Sequence, residues 1–462
     1  VTALSLFPYQ HTGVAFLAGR TRALLADEMG LGKSPTAVAA ADAAGCDRVL
    51  VLAPASIVTN WCREFNHWQK QGRRILPVRC ASDVPSTAAV AAIVSYDTAK
   101  QPAMLNALLA RRWDVLIADE AHFLKNRMSA RARTVLGPNG DGVGGLLSCC
   151  ARAWGLTGTP MPNSADELWP LLCAFGPEAL ESDGKPMAYW SWRRRYCVEI
   201  PLGGSNRTKI VGVRHKDELR ARVGRVMLRR RKADVLPDLP PIREAELALS
   251  AEHYAAGVCA EAGVAGADMD MLRAVSAKAL AAEDPDKAAA QALEALSEDS
   301  VSRLRRLTAV LKARAVATVL AEELAQTTAK VVVFAWHREA IAHLALALGG
   351  FGAVVVDGAA TRTARQAAVD AFQGDPATRV FIGQIQAAGT GLTLTAAADL
   401  VFVELSWVPA ENAQAAMRVH RIGQHQPVLV RYATLADTID EAVVRTLRRK
   451  SRDIATIIEE AA

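Results

Sequence analysis

Twice along its 462 residues this chain alternates short apolar runs with helix-forming stretches, and that alternation admits few folds other than a parallel sheet covered by helices on both faces. In the first half the runs are Ala23 to Glu28, Arg48 to Pro54, Ala91 to Asp97, Trp113 to Glu120 and Arg152 to Thr157. In the second they are Lys330 to Trp336, Ala353 to Asp357, Arg379 to Ile385, Leu400 to Leu405 and Val428 to Ala433. The expectation is an α/β protein of two lobes: a first over 1–235 with a helical insertion from about 161, a helical linker or protrusion over 236–328, and a second lobe over 329–462. The Ala-rich stretch from Ala251 to Gln326 is expected to form solvated helices projecting from the lobes. A Trp- and Arg-rich patch from Trp190 to Tyr196 and a basic run from Arg229 to Lys232 stand out between the two series.

The first apolar run leads into Glu28-Met29-Gly30-Leu31-Gly32-Lys33-Ser34 and then an Ala-rich helix with Pro35 in its first turn. Glycines there let backbone N–H groups approach phosphate oxygens, and the helix N-terminus adds positive potential. Lys33 would reach the β- and γ-phosphates, and the Ser34 hydroxyl would sit on Mg²⁺. The strict form of such a loop has Gly where this chain has Asp27, so alone the match also fits a glycine-rich turn with a surface lysine. A second signal removes most of that ambiguity. The apolar run Val115 to Ala118 ends in Asp119-Glu120-Ala121-His122, which places a cation-holding carboxylate beside one that can orient and deprotonate water. The next run ends in Thr157-Gly158-Thr159-Pro160, whose hydroxyls would lie beside the same pocket.

The second lobe has no lysine-bearing cradle. Its candidates are Gln414, Arg418 and Arg421, spaced four and then three apart on a helix expected to begin near Pro409, where one face would present all three. Arginines so placed can serve as fingers for a γ-phosphate or be merely a solvated basic face.

Composition bounds the partners. Lys and Arg number 54 against 48 Asp and Glu, a net charge of +6, which permits nucleic acid as a partner without requiring it. The eight cysteines include no C-x-x-C pair, so they read as reduced thiols and not as a zinc or redox site. No apolar stretch reaches the roughly 18 residues that cross a bilayer, and no membrane partner is expected. A cytoplasmic location in a bacterium or phage-infected cell, or a nuclear one in a eukaryote, is the corresponding expectation.

Together these motifs resemble the Swi/Snf-like family of superfamily-two helicase-type ATPases, from Phe7 to about Lys450, nearest to its compact annealing-helicase-like branch. Phe7-Pro8-Tyr9-Gln10 is similar to the family's adenine-reading segment, with Gln10 the reader. Asp27 to Ser34 resembles its first motif, so Met29, Gly30, Leu31, Gly32, Lys33 and Ser34 are implied nucleotide contacts, joined by His122. Leu52 to Ser56 with Asn60, Trp61 and Glu64, and Ser95-Tyr96-Asp97, resemble DNA-facing elements; Asp119 to His122 with Lys125-Asn126, and Leu156 to Pro160 with Asn163, resemble the hydrolysis and coupling motifs. The likeness continues through Leu228 to Lys232, Ala388 to Thr395, Glu404 with Trp407 and Pro409, and Gln414 to Gln424, the most specific string of all.

The resemblance implies two RecA-like lobes and ATP-driven translocation on duplex or forked DNA with Mg²⁺, without processive strand separation. Implied catalytic residues are Lys33, Asp119, Glu120, Gln414, Arg418 and Arg421, with Ser34 and Asp119 as metal ligands. Thr157, Gly158, Thr159, Gly389 and Gly391 would couple nucleotide to DNA, which Asn60, Lys125, Asn126, Arg127, Thr390 and Trp407 would touch. A strand-separating DNA or RNA helicase, a non-hydrolysing scaffold, and a motor subunit of a defence or restriction assembly with an unknown protein partner stay open as alternatives.

Overall fold

The computed structural model describes residues 5–86, 89–138, 140, 143–161, 164–182, 184–201, 208–250, 266–281, 288, 291, 296–388, 392–436, 438, 440–442, 444–445 and 447–448. The chain divides into two compact units between Pro237 and Asp238.

The first unit is built on a seven-stranded sheet in the order β11-β1-β6-β5-β2-β4-β3, all of it parallel. Its strands are β1 (Arg22–Leu25), β2 (Arg48–Ala53), β3 (Arg74–Val78), β4 (Val90–Ser95), β5 (Trp113–Asp119), β6 (Cys150–Leu156) and β11 (Met227–Leu228). Successive residues point to opposite faces, so one strand feeds two cores. Leu24, Leu50, Leu52 and Leu116 pack on one face, and Ala23, Leu25, Val49, Val51 and Ile117 on the other. Burial on both faces is why these strands read as continuous apolar runs rather than alternating ones. Helices α1 (Pro8–Ala18), α2 (Lys33–Ala43) and α3 (Val58–Trp68) cover the second of these faces, with Leu17, Val38, Trp61 and Phe65 buried there.

Two strands of this sheet escape a pattern reading. β3 is Arg-Ile-Leu-Pro-Val at the sheet edge, the one place where a proline fits a ladder. β11 is two residues long and leads directly into the basic run. The insertion expected as helical also contains strands: β7 (Glu181–Ser182) pairs with β8 (Lys185–Pro186), and β9 (Cys197–Pro201) with β10 (Thr208–Val213), both antiparallel.

The second unit carries a six-stranded sheet in the order β12-β17-β16-β13-β15-β14, again parallel throughout. These strands are β12 (Ile242–Leu249), β13 (Val331–Ala335), β14 (Ala353–Val356), β15 (Val380–Gln384), β16 (Asp399–Phe402) and β17 (Val428–Leu435). Val331 and Val333 face one core, Val332 and Phe334 the other.

The reading of 236–328 as a helical linker is corrected at both ends of that segment. Ile-Arg-Glu-Ala-Glu-Leu-Ala-Leu has the composition of a helix, yet it pairs over eight residues with β17, from Ile242 opposite Val428 to Leu249 opposite Leu435. Tyr432 and Thr434 donate hydrogen bonds to Glu244 and Glu246, at 3.0 and 2.8 Å, so a tertiary ladder overrides local propensity. The helix Glu298–Gln326 is no solvated projection: Leu304, Leu307, Leu311, Val316, Leu320 and Leu324 are buried against the second sheet. A buried ion pair between Lys312 and Asp440 at 2.9 Å, and the bidentate grip of Arg431 on Glu323 at 2.7 and 2.9 Å, fix the helix in place.

Candidate nucleotide site

Because β6 lies between β1 and β5, the loops that follow these three strands meet at one carboxyl edge. The loop after β1 is the glycine cradle, Asp119 ends β5 with Glu120 next, and Thr157 follows β6 directly. The structure thus gathers all three motifs of the first unit.

The cradle needs its glycines for two separate reasons. Gly30 and Gly32 have φ of 90° and 76°, a left-handed backbone that glycine adopts without strain. A Cβ on Gly32 would also lie 2.2 Å from Gln10 Nε2, so the segment that carries Gln10 packs directly on the loop. Gln10 donates to the Leu31 carbonyl at 3.1 Å, and Tyr9 donates to the same oxygen at 3.1 Å. Ser34, half-buried, stands in the first turn of α2.

Lys33 folds back on its own loop and donates to the Asp27 and Glu28 carbonyls at 2.7 and 3.3 Å. Desolvation lowers its pKa, opposed by the negative charge of Glu120, Asp27 and Asp119. Gly158 comes close to the same ammonium, for a Cβ there would sit 3.5 Å from Lys33 Nζ and 2.5 Å from Met29 Cγ.

Asp119 is buried at the end of β5. It accepts a hydrogen bond from the Trp61 indole at 2.7 Å and another from the Glu120 backbone N–H at 2.9 Å. Burial, and then the charge of Glu120, push its pKa up to about 6 against the pull of those two donors and Lys33. Glu120 itself has φ of 48°, one of two non-glycine residues with positive φ among the described residues, and strained backbone of this kind gathers at working sites. Its carboxylate lies 3.3 Å from His122 Nδ1, which also meets Thr157 Oγ1 at 3.1 Å. Thr157 in turn accepts from the Thr159 backbone N–H at 3.1 Å. Thr159 Oγ1 is shielded from solvent with no partner among the described residues, a polar atom of the sort that a ligand satisfies.

Sequence reasoning left one part of this site without a role. The basic run Arg229 to Lys232, carried into the sheet by β11, braces the cradle from behind. Arg229 donates to the Ala26 and Gly158 carbonyls at 3.0 and 3.1 Å. Arg230 grips the buried Asp27 carboxylate with two nitrogens, one at 2.9 Å, reaches the Tyr9 carbonyl, and lies over the Tyr9 ring. The Lys232 backbone N–H donates to Glu28 at 2.7 Å. Asp27, the departure from the strict glycine motif, is therefore the anchor of this brace; the signal was present as an unexplained acid and an unexplained basic run.

Removing Arg230 should leave that buried carboxylate without its hydrogen-bonded cation. Arg230→Ala is expected to destabilise the first unit by about 3–5 kcal/mol. An Asp27→Ala, Arg230→Ala double variant should recover part of the loss in urea unfolding, and an additive double variant would deny the pairing.

The remaining expected contacts fall outside this cluster. Lys125 is paired with Glu167 at 3.0 Å, Asn126 accepts from the Met128 N–H, Arg127 lies 4.5 Å from the Tyr189 ring centroid, and Asn60 touches Glu64 at 3.4 Å on exposed α3. In the second unit Glu404 is buried and accepts from the Trp336 and His337 backbone N–H groups, both at 2.9 Å. Trp407 is half-exposed under Arg305, 5.4 Å from its centroid. Gly389, Thr390, Gly391 and Asn163 lie outside the described residues.

One expectation about the second unit is corrected. The helix from Pro409 ends at Ala416, so Gln414 is helical whereas Arg418 and Arg421 lie in the turns beyond, not on one helical face. Arg418 and Val419 make three-residue backbone bonds to Ala415 and Ala416, and the Arg418 carbonyl accepts from Leu394 N–H at 2.9 Å, which turns the chain away. Gln414 is buried, and Arg421 donates to Leu392 O and Thr393 Oγ1 at 3.2 and 2.9 Å.

A strand order that sets β6 between the cradle strand and the acidic strand, with a lysine, two carboxylates and hydroxyls at one edge, defines a nucleotide-phosphate site of the helicase-type ATPase class. The SNF2-related domain family matches residues 9–297, more than half of the chain, and the helicase conserved C-terminal domain matches residues 312–423. This protein belongs to the SNF2-related family. It is 30% identical over 459 residues to the DNA annealing helicase and endonuclease ZRANB3 of Bos taurus, covering 97% of this chain and 40% of that protein. It is 31% identical over 465 residues to the SWI/SNF-related matrix-associated actin-dependent regulator of chromatin subfamily A-like protein 1 homolog of Caenorhabditis elegans, covering 96% of this chain and 61% of that one. The chain thus spans about two fifths of the ZRANB3 relatives it matches. Among solved structures, the Sulfolobus solfataricus SWI2/SNF2 ATPase core in complex with dsDNA aligns over 99% of this chain and 97% of that one, at 19% identity and a TM-score of 0.45. Among the described residues no helix is long and apolar enough to cross a membrane.

Proposed function

We propose that this chain is an ATP hydrolase that translocates on double-stranded DNA and remodels DNA or protein–DNA complexes, with fork or annealing activity and without processive strand separation. The observation that carries the reading is the convergence of Lys33, Asp119 and Glu120 at one sheet edge. Phosphoryl transfer asks a protein for positioning and charge neutralisation, which these residues supply. The matched relatives named as DNA annealing helicases support DNA as the track.

The donors fit Mg²⁺. Asp119 and the Ser34 hydroxyl are hard oxygen ligands, and among the described residues no cluster of three or more His, Cys, Asp or Glu could form an all-protein cage. Mg²⁺ takes most of its remaining ligands from water and substrate phosphate, so a single buried carboxylate suits it. When bound it would neutralise phosphate charge. The protein's part is to position: Lys33 holds the phosphates, Gln10 reads the base, Glu120 orients water and accepts its proton, and Arg418 and Arg421 add positive charge for the reaction.

The raised pKa of Asp119 sets a pH dependence. A carboxyl pushed up to about 6 is charged above that pH and neutral below it, so protons compete with the cation on the acid side. Affinity for Mg²⁺ with ATP should fall about tenfold per pH unit below 6. Trp61→Phe removes a donor to the charged form and should move this limb to higher pH; an unmoved limb would show that another group titrates. Arg421→Ala is expected to slow hydrolysis about a hundredfold or more with ATP affinity spared, and normal turnover would remove it from the catalytic set.

The direct test of the proposal is steady-state ATP hydrolysis with no nucleic acid, single-stranded DNA, blunt duplex, forked DNA and RNA, at two salt concentrations because phosphate contacts are salt-sensitive. Stimulation by duplex or fork is expected. Stimulation by single strands or RNA alone would make the protein a conventional helicase, and no turnover anywhere would overturn the hydrolase reading.

A further inference from the structure

The Trp- and Arg-rich patch is not absorbed by the nucleotide site. It lies on the helix Tyr189–Tyr196, where Trp192 and Tyr196 are buried while Trp190 is 59% exposed. A lone exposed tryptophan needs no explanation, but this one is the outer member of a built ladder. Trp169 meets Tyr189 edge-on at 5.6 Å, and Tyr189 meets Trp190 edge-on at 5.1 Å. The inner rings are tied down: the Trp169 indole donates to the Met187 carbonyl at 2.9 Å, and the Tyr189 hydroxyl to Asp166 at 3.0 Å.

Cations surround the outer ring. The Arg127 guanidinium lies 4.5 Å from the Tyr189 centroid and 6.0 Å from that of Trp190, and Arg193 lies 5.5 Å from Trp190. Arg193 is paired with Glu199 and Arg195 with Glu218. Arg127 and the exposed Arg194 have no carboxylate partner among the described residues. The patch therefore offers an open indole surface on a tied-down ladder, beside the unneutralised Arg127 guanidinium and one helical turn from that of Arg194. An unpaired nucleobase on its phosphate chain has the complementary chemistry: a flat π-face to stack and an anion to pair. A fully paired duplex keeps its base faces stacked inside and cannot use the indole. Arg127 also lies seven residues on from Glu120, just past the short helix Ala121–Leu124, so the patch is joined to the Asp119-Glu120 motif by a short connection.

We infer that Trp190, with Arg127 and Arg194, is a stacking site for an unpaired base of single-stranded DNA. The inference rests on the proposed reading of this protein as acting on forked DNA, and it names the residues that would hold an unpaired base of the single-stranded arm.

The test is direct binding, independent of turnover. One probe is a duplex with a single-stranded arm carrying 2-aminopurine; the other is a blunt duplex with the same base paired. Wild type should bind the armed probe more tightly and change its 2-aminopurine fluorescence. Trp190→Ala should weaken armed-probe binding about five- to a hundredfold relative to the blunt probe and abolish that fluorescence change, with Trp190→Phe restoring most of both. Equal loss on both probes, or no loss on either, would overturn the inference, as would full rescue by Trp190→Leu, which has no π-face. If binding follows this pattern while no DNA stimulates hydrolysis, the stacking site stands and the translocase reading fails.

Discussion

Replacing Lys33 by alanine is expected to lower ATP hydrolysis by at least about a hundredfold, the scale on which a fixed charge-stabilising donor acts. Its ammonium is held by two carbonyls of its own loop, at 2.7 and 3.3 Å, and faces the charge of Glu120, Asp27 and Asp119. Phosphate oxygens are stronger acceptors than carbonyls, so in the proposed role the ammonium would exchange these bonds for the β- and γ-phosphates. A second consequence separates this role from a structural one. Lys33 holds the Asp119 pKa down, and without it the carboxyl should titrate above 6. A Lys33→Ala variant that folds normally, turns over slowly and shifts the acid limb of nucleotide binding upward would match the structure. Turnover close to wild type would remove Lys33 from the phosphate site.

The sheets were legible because parallel strands buried on both faces leave unbroken apolar runs, and the candidate site was legible as a convergence of motifs because those motifs hang on the ends of the runs. Asp119 and Thr157 each sit where an apolar run stops. What the pattern could not supply were elements whose structure comes from a distant partner. β12 has a helix-like composition and becomes a strand only through its ladder with β17. β11 is too short for any period and is followed by what reads as a bare run of charge, although three residues of that run brace the cradle. Arg418 and Arg421 keep helical spacing in sequence, but the helix stops at Ala416 and the Arg418 carbonyl accepts from the distant Leu394 N–H instead. A periodic pattern records burial; it does not record which segment will come to supply the hydrogen bonds.

Glu120→Gln should separate binding from hydrolysis. The amide is nearly isosteric with the carboxylate, can keep the left-handed backbone at φ of 48°, and can still meet His122, so the fold of the turn should survive. It cannot accept a proton from water, and loss of a general base typically costs about a hundred- to ten-thousandfold. ATP affinity should hold or rise, because the charge of Glu120 is the second cause, after burial, of the raised Asp119 pKa. Neutralising it should bring that pKa below 6, so the acid limb of nucleotide binding moves down in this variant and up in Lys33→Ala. Opposite shifts from two substitutions around one carboxylate are hard to obtain unless Lys33, Asp119 and Glu120 form a single electrostatic unit. If Glu120→Gln loses ATP binding at every pH, the glutamate is holding the turn together and the water-activating role must lie with another residue.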